Sequence, residues 1–186
     1  MTSSRLSAEV VEPYADALMS LARAHNLTEC FGQDLRSLLE LLEGSQELQA
    51  FLANPLIAAG DKQAVLQRIA GDSTHSYLQN FLRLLADKKR LMFAAGIARR
   101  YLALLRELNQ TALAQVTAAA ELSESQRQQV TERVKAMTGA RDVELELSYD
   151  PELIGGVIVQ VGSQVLDASL RGQLRRMSLQ MSGAVG

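Results

Sequence analysis

Cysteine and histidine are scarce in this chain of 186 residues and tryptophan is absent, and these shortages limit what the chain can do. Cys30 is the only cysteine, so no internal disulfide forms and no thiol set holds a metal. His25 and His75 are the only histidines. A metal site would draw most of its ligands from carboxylates, and no Asp/Glu cluster stands at ligand spacing, so neither a metal nor a cofactor is expected. Tryptophan is absent and aromatics make up 4 % of the chain, so the cores must be built from Leu, Val, Ile, Ala and Met. Long apolar runs are missing too. The longest uncharged stretch, Leu153–Leu166, has 14 residues, short of the roughly 20 that span a bilayer. Residues 1–13 lack the charged-then-apolar layout of a signal peptide and the Arg-rich character of a transit peptide, so no leader is expected. Charge of one sign is missing as well. The net charge is −2, and acids and bases alternate rather than forming blocks, which argues against a nucleic-acid partner.

What is present has two different periods. From about Val10 to Leu108 the apolar residues recur at helical spacing. Pro13 suits the first turn of a helix carrying Tyr14, Ala17, Leu18 and Leu21 as one stripe and ending at His25-Asn26. A second helix runs from Thr28 to about Gly44, and Ser45 caps a third through Leu52. Asn54-Pro55 interrupts the pattern. Three more helices are predicted over Asp61–Ala70, His75–Ala86 and Leu91–Leu108, with turns at Gly71-Asp72 and Asp87–Arg90. The expected first domain, residues 1–108, is an all-α six-helix bundle.

After Asn109 the period shortens to two. Thr111–Ala118 reads as a strand, weakened by its alanines. Ser123 and Gln126 match a capping box, opening a helix that Gly139 ends near Thr138. Val143–Tyr149 alternates as a half-wet strand does, with Glu144 and Glu146 on the solvent face. Asp150-Pro151-Glu152 turns the chain into an apolar strand, Ile154–Val161, whose Gly155-Gly156 suggests a bulge or a close backbone approach. Gly162-Ser163-Gln164 turns again into Val165–Asp167. A last helix from about Ser169 carries Leu170, Leu174, Met177 and Met181. Residues 109–186 are thus expected to form a small C-terminal α+β domain.

Catalytic candidates are few. Gly155–Gly162 could cradle phosphate only if it led from a strand into a helix N-terminus. These glycines lie within and just after a strand, with no Lys-Ser/Thr pair following, so a hairpin is the better reading. Neither histidine has a Ser or Cys partner at recognisable spacing, and Cys30 sits on an apolar helix as a small packing residue. Arg171, Arg175 and Arg176 leave three readings open: arginines that keep a sheet-covering helix soluble, a face for a partner helix carrying acids, or a nucleic-acid contact. The helices Leu91–Leu108 and His75–Ala86 are apolar on more than one side, as helices central in a domain or covered by a partner are.

Three segments resemble a known family. Leu153–Arg176, LIGGVIVQVGSQVLDASLRGQLRR, is similar to the C-terminal signature of ATP synthase delta subunits, whose mitochondrial relative is the oligomycin-sensitivity-conferring protein. Glu12–Leu18, EPYADAL, resembles the family's first helix, and Asn80–Leu91, NFLRLLADKKRL, its fifth. The wording of Lys135–Glu144 is most similar to cyanobacterial members, near kin of chloroplast ones.

The resemblance implies a non-catalytic stator subunit, one copy per complex, at the cytoplasmic or stromal face of a thylakoid or plasma membrane. It would be held to that membrane only indirectly, through the complex. The helical domain would grip N-terminal helices of the alpha subunits, and the C-terminal domain would join b-type stalk subunits. Carried over by position, the alpha-binding residues would be Tyr14, Ala17, Leu18 and Leu21 on the first helix and Phe81, Leu84 and Leu85 on the fifth. Arg171, Leu174, Arg175 and Met177 would meet the peripheral stalk.

Overall fold

A computed structural model describes residues 2–70, 74–172 and 174. The chain divides into two compact units, Met1–Leu105 and Arg106–Gly186.

The first unit is helical: α1 (Thr2–Ala24), α2 (Thr28–Gly44), α3 (Gln46–Ala53), α4 (Ala59–Ala70), α5 (Ser76–Asp87), a 3-10 turn at Leu91–Phe93, and α6 (Ala94–Asn109), which runs on past the division. The turn expected at Gly71-Asp72 lies outside the described residues. Pro13, expected in the first turn of its helix, lies inside α1 instead. A proline there removes one backbone hydrogen bond. Upstream of it Val11 packs closely on α6, where a Cβ at Gly96 would come within 3.1 Å of Val11 Cγ2, and this contact holds the helix on the N-terminal side of the break.

Three of these helix ends use residues other than glycine in the left-handed region, the one after α6 being Gln110 at φ 54°. After α1, Asn26 takes φ 55°, and Leu27 N–H reaches back to the Ala22 carbonyl at 2.8 Å. After α5, Lys89 takes φ 55°; its N–H donates to the Ala86 carbonyl at 2.9 Å and that of Arg90 to the Leu85 carbonyl at 2.7 Å. This pair of bonds is a Schellman motif, which satisfies carbonyls that the helix end leaves open. Starts are capped by side chains. Ser45 accepts from Leu48 N–H ahead of α3, and His75 Nδ1 accepts from Tyr77 N–H ahead of α5. Lys62, buried on α4, donates to the Leu52 carbonyl at 2.7 Å, a cation on the C-terminal turn of α3. Leu18, Phe31, Leu35, Leu78, Leu85, Ile97, Tyr101 and Leu105 make the centre of the core. The Tyr101 hydroxyl donates to the Thr28 carbonyl at 3.0 Å.

The second unit is a four-stranded mixed sheet with a helix. Its elements are β1 (Thr111–Ala118), α7 (Glu124–Thr138), β2 (Asp142–Tyr149), a 3-10 turn at Pro151–Leu153, β3 (Val157–Val161) and β4 (Gln164–Asp167), in the sheet order β2-β1-β3-β4. β1 pairs parallel with β2 through the α7 crossover and antiparallel with β3. The alanines of β1 fit because it is an inner strand. Ala114, Val116 and Ala118 alternate onto a buried face packed with Leu122, Val134 and Val159, where small side chains let α7 approach. Ser123 and Gln126 form the expected capping box, and Gly139 ends α7 at φ 68°.

Ile154, expected at the start of a strand, is not in one. Gly155 N–H donates to the Leu153 carbonyl at 2.6 Å, and Ile154 between them takes φ 62° and ψ −37°. A three-residue turn of that hand is strained, above all for a β-branched residue. Strand β3 therefore begins only at Val157. The hairpin from β3 to β4 is tighter than expected, its loop being Gly162-Ser163 alone, with Gly162 at φ 58°.

Candidate functional site

On the helical unit, α1 and α5 meet through side chains. The rings of Tyr14 and Phe81 pack edge to face at 6.1 Å, and His25 lies against Tyr77 at 4.8 Å. Tyr14 lies on α1 and His25 in the turn just past it, and both of their partners lie on α5.

Between them lies a stripe that is only partly covered. On α1 Tyr14 and Leu21 are half-buried and Ala17 is exposed. On α5 Tyr77, Phe81 and Leu84 follow at i, i+4, i+7, with Tyr77 38 % and Leu84 45 % exposed. Ala17 leaves a gap in the α1 wall.

Two of the residues expected in this wall are elsewhere. Leu18 is 1 % and Leu85 0 % exposed, both in the core under the stripe. Tyr14, Leu21 and Phe81 pack against the core cluster that contains them. Two residues of the stripe were not expected. Tyr77 continues the α5 row, a relation its i−4 spacing from Phe81 already signals. Arg90 closes the end at Tyr14: its Nη1 donates to the Tyr14 hydroxyl at 2.8 Å, and its guanidinium carbon lies 5.4 Å from the ring centroid. Nothing in the run Asp87–Arg90 distinguishes that arginine from a solvated turn residue.

The histidines hold structure. His75, half-buried, caps α5, packs against Phe31 at 5.6 Å and Tyr77 at 5.2 Å, and its N–H donates to Asp34 Oδ2 at 3.0 Å. Cys30 is exposed on α2.

In the second unit the Asp-Ala-Ser-Leu-Arg-Gly segment forms a relay. Asp167 Oδ1 accepts from both the N–H and the hydroxyl of Ser169, at 2.9 and 2.6 Å. The Ser169 oxygen in turn accepts from Gly172 N–H at 3.0 Å, capping the helix that opens at 170. A Cβ at Gly172 would collide with the Asp167 carboxylate, and one at Gly156 would run into the Ala168 carbonyl and come within 2.8 Å of Ser169 Cα. Gly156 takes φ 85°. The close backbone approach expected at this glycine pair is therefore real, and its partner is the start of the last helix. The segment anchors that helix and leaves no cradle for phosphate between Gly156 and Ser169.

Arg171 and Leu174 are exposed on the helix that opens at 170, Leu174 at 63 %. Arg175, Arg176, Met177 and Met181 lie outside the described residues. Glu144, expected in water, is half-buried and pairs with Arg106 at 3.2 Å. Among the described residues no three His, Cys, Asp or Glu side chains gather as a metal site would require.

The ATP synthase delta (OSCP) subunit family model matches residues 10–181. The chain belongs to that family. It is 56 % identical over 183 residues to the ATP synthase subunit delta of Gloeothece citriformis, covering 98 % of this chain and all of the relative. The corresponding protein of Crocosphaera subtropica is 55 % identical over 184 residues, covering 99 % of this chain and 100 % of its own length. The fold matches a chain in the cryo-EM structure of the Toxoplasma gondii mitochondrial ATP synthase hexamer at TM-score 0.71 and 24 % identity, covering 92 % of this chain and 97 % of that one. Within this delta-family chain, the EPYADAL and NFLRLLADKKRL segments supply Tyr14, Ala17, Phe81 and Leu84 of the α1–α5 stripe, and the LIGG–DASLRG segment supplies the Asp167–Ser169–Gly172 relay.

Proposed function

We propose that this chain is the stator connector of a proton-translocating rotary ATP synthase. Its helical unit takes the N-terminal helix of an alpha subunit along the α1–α5 stripe, and its C-terminal unit joins b-type stalk subunits. The observation that carries this reading is the partly exposed stripe of Tyr14, Ala17, Leu21, Tyr77, Phe81 and Leu84, in a chain whose family is that of ATP synthase delta subunits.

The role is mechanical and asks for no catalytic group. Torque from the central stalk drags the catalytic head round unless a static link resists it. Such a link needs slow dissociation, which comes from aromatic and aliphatic anchors buried at the centre of an interface. Tyr14 and Phe81 are already packed on each other, so little side-chain freedom is lost when a helix covers them. No helix among the described residues is long and apolar enough to cross a membrane. Attachment to the cytoplasmic or stromal face of a thylakoid or plasma membrane then comes through the complex, with one copy in each. On the C-terminal side, Arg171 and Leu174, with Arg175 and Met177 further along the chain, are the residues proposed to meet the stalk.

Deleting the N-terminal segment from the alpha subunits tests the link. The assembled head should then no longer co-migrate with this chain in size-exclusion chromatography. Undiminished co-migration would overturn the assignment of the groove.

A further inference from the structure

Both histidines of the chain lie against one residue of the stripe. The Tyr77 ring is 4.8 Å from that of His25, just past α1, and 5.2 Å from that of His75, at the start of α5. His75 also holds the backbone there. Its carbonyl accepts from the N–H of Leu78 and of Gln79, at 2.9 and 3.1 Å, and its Nδ1 accepts from the N–H of Tyr77 at 3.3 Å. The Tyr77 amide thus rests on a ring nitrogen, where the usual cap is an oxygen of Ser, Thr, Asp or Asn. A ring nitrogen accepts only while it carries no proton. Imidazole is the side chain that ordinarily gains its charge between about pH 8 and pH 5.

The groups facing His75 pull in opposite directions. The N-terminus of α5 disfavours an imidazolium. Asp34 on α2, whose Oδ2 accepts from the His75 backbone N–H at 3.0 Å, attracts one. Phe31, also on α2, packs on the ring at 5.6 Å and brings no charge. From the α1 side comes His25, through the Tyr77 ring that the two share. Whichever pull wins, a protonated Nδ1 is a donor, and the Tyr77 N–H is left to water.

We propose that His75 is a proton-operated cap at one end of the α1–α5 seat: neutral, it holds the first turn of α5 and Tyr77 in place; protonated, it releases them, and the docked helix binds less tightly. This rests on the alpha-helix reading above and adds to it a pH dependence of the same seat. A helix laid on a loosened Tyr77 must order that turn as it binds, and the ordering opposes association.

The test has two arms, both on the full-length protein. The first needs no partner. Long-range proton–nitrogen spectra of the His75 ring at about pH 8 should show Nδ1 bare and the proton on Nε2. At about pH 5.5 the Tyr77 amide should exchange with solvent several-fold faster than in His75→Ser at the same pH, because the serine oxygen still caps. The second arm is calorimetry with a synthetic peptide of the alpha subunit's N-terminal segment. Between those two pH values the affinity of the unaltered protein should fall about fivefold, the worth of one cap. That fall should vanish in His75→Ser and persist in His25→Asn, which separates the two rings.

A proton on Nδ1 at the higher pH overturns the proposal, and that result stands even if His75→Ser folds poorly. Equal exchange of the Tyr77 amide in the two proteins at the lower pH overturns it too, as does an equal fall in peptide affinity. If the peptide binds at neither pH, the groove reading falls and the docking half of this inference with it, while the ring spectra still decide the cap.

Discussion

The Ser169 hydroxyl donates to Asp167 Oδ1 at 2.6 Å, and Ser169 is only 2 % exposed. Through that bond a carboxylate at the end of β4 holds the cap of the helix that follows it.

Asp167→Ala removes the acceptor of both the Ser169 hydroxyl and its N–H. Leaving a buried polar group without its partner costs roughly 1–3 kcal/mol. Urea denaturation should show a loss of that size, and the amide of Gly172 should exchange faster with solvent. Unchanged protection of that amide would mean that Ser169 caps the helix unaided.

Gly156 combines φ 85° with no room for a Cβ beside the Ala168 carbonyl. Gly156→Ala should therefore destabilise by more than about 1 kcal/mol, beyond what reduced freedom of the unfolded chain returns. Gly44, on α2, has open space around its missing Cβ, so Gly44→Ala should stay within about 0.5 kcal/mol of the parent. Thermal melts of the two variants side by side make the comparison.

Burial pushes the Tyr101 hydroxyl up from 10.0 to about 12, with Glu29 and Cys30 adding to the shift. The folded state thus keeps its proton longer than the unfolded chain does. The stabilising contribution is fully present below pH 10 and is lost as pH rises towards 12. The loss is of order 2–3 kcal/mol. Stability measured by denaturant between pH 9 and 12 should fall more steeply for the parent than for Tyr101→Phe, which has no proton to lose. Parallel curves would contradict the assignment.

Leu84 and Leu85 are neighbours with opposite exposures, 45 % and 0 %. Leu84→Asp should keep its helical circular dichroism and lose the alpha peptide. Leu85→Asp places a charge in the core, and it should unfold or lose several kcal/mol. If both variants fold and both bind, the stripe is not the docking surface.

That pair also marks how far the sequence could be read. Local features were legible because they depend on few residues: the Ser123–Gln126 capping box, the Gly139 stop, the Asn26 end of α1 and the strand over Val143–Tyr149, whose alternation fails at half-buried Glu144 and exposed Tyr149. The apolar excess of α5 was visible, but in NFLRLLAD leucines stand on both sides of the helix, and only packing decides that Leu82 and Leu85 go inward and Leu84 stays out. Pro13 misled because Val11 and Gly96, distant in sequence, hold the helix on its far side. Ile154 misled because its turn is set by the junction of Gly156 with Ala168, a contact between two ends of a hairpin. Arg90 carries no local mark at all, since its meaning depends on Tyr14, on another helix.

The proposed function stands or falls with the α1–α5 stripe as the seat of an alpha-subunit helix. Its most direct test is an NMR titration of the isotope-labelled full-length protein with the alpha N-terminal peptide. Saturable shifts should concentrate in Tyr14–Leu21, Tyr77–Leu85 and Arg90, with the amides of β1–β4 unmoved. A folded protein whose α1 and α5 signals stay still, or whose shifts fall instead in the sheet, would contradict it.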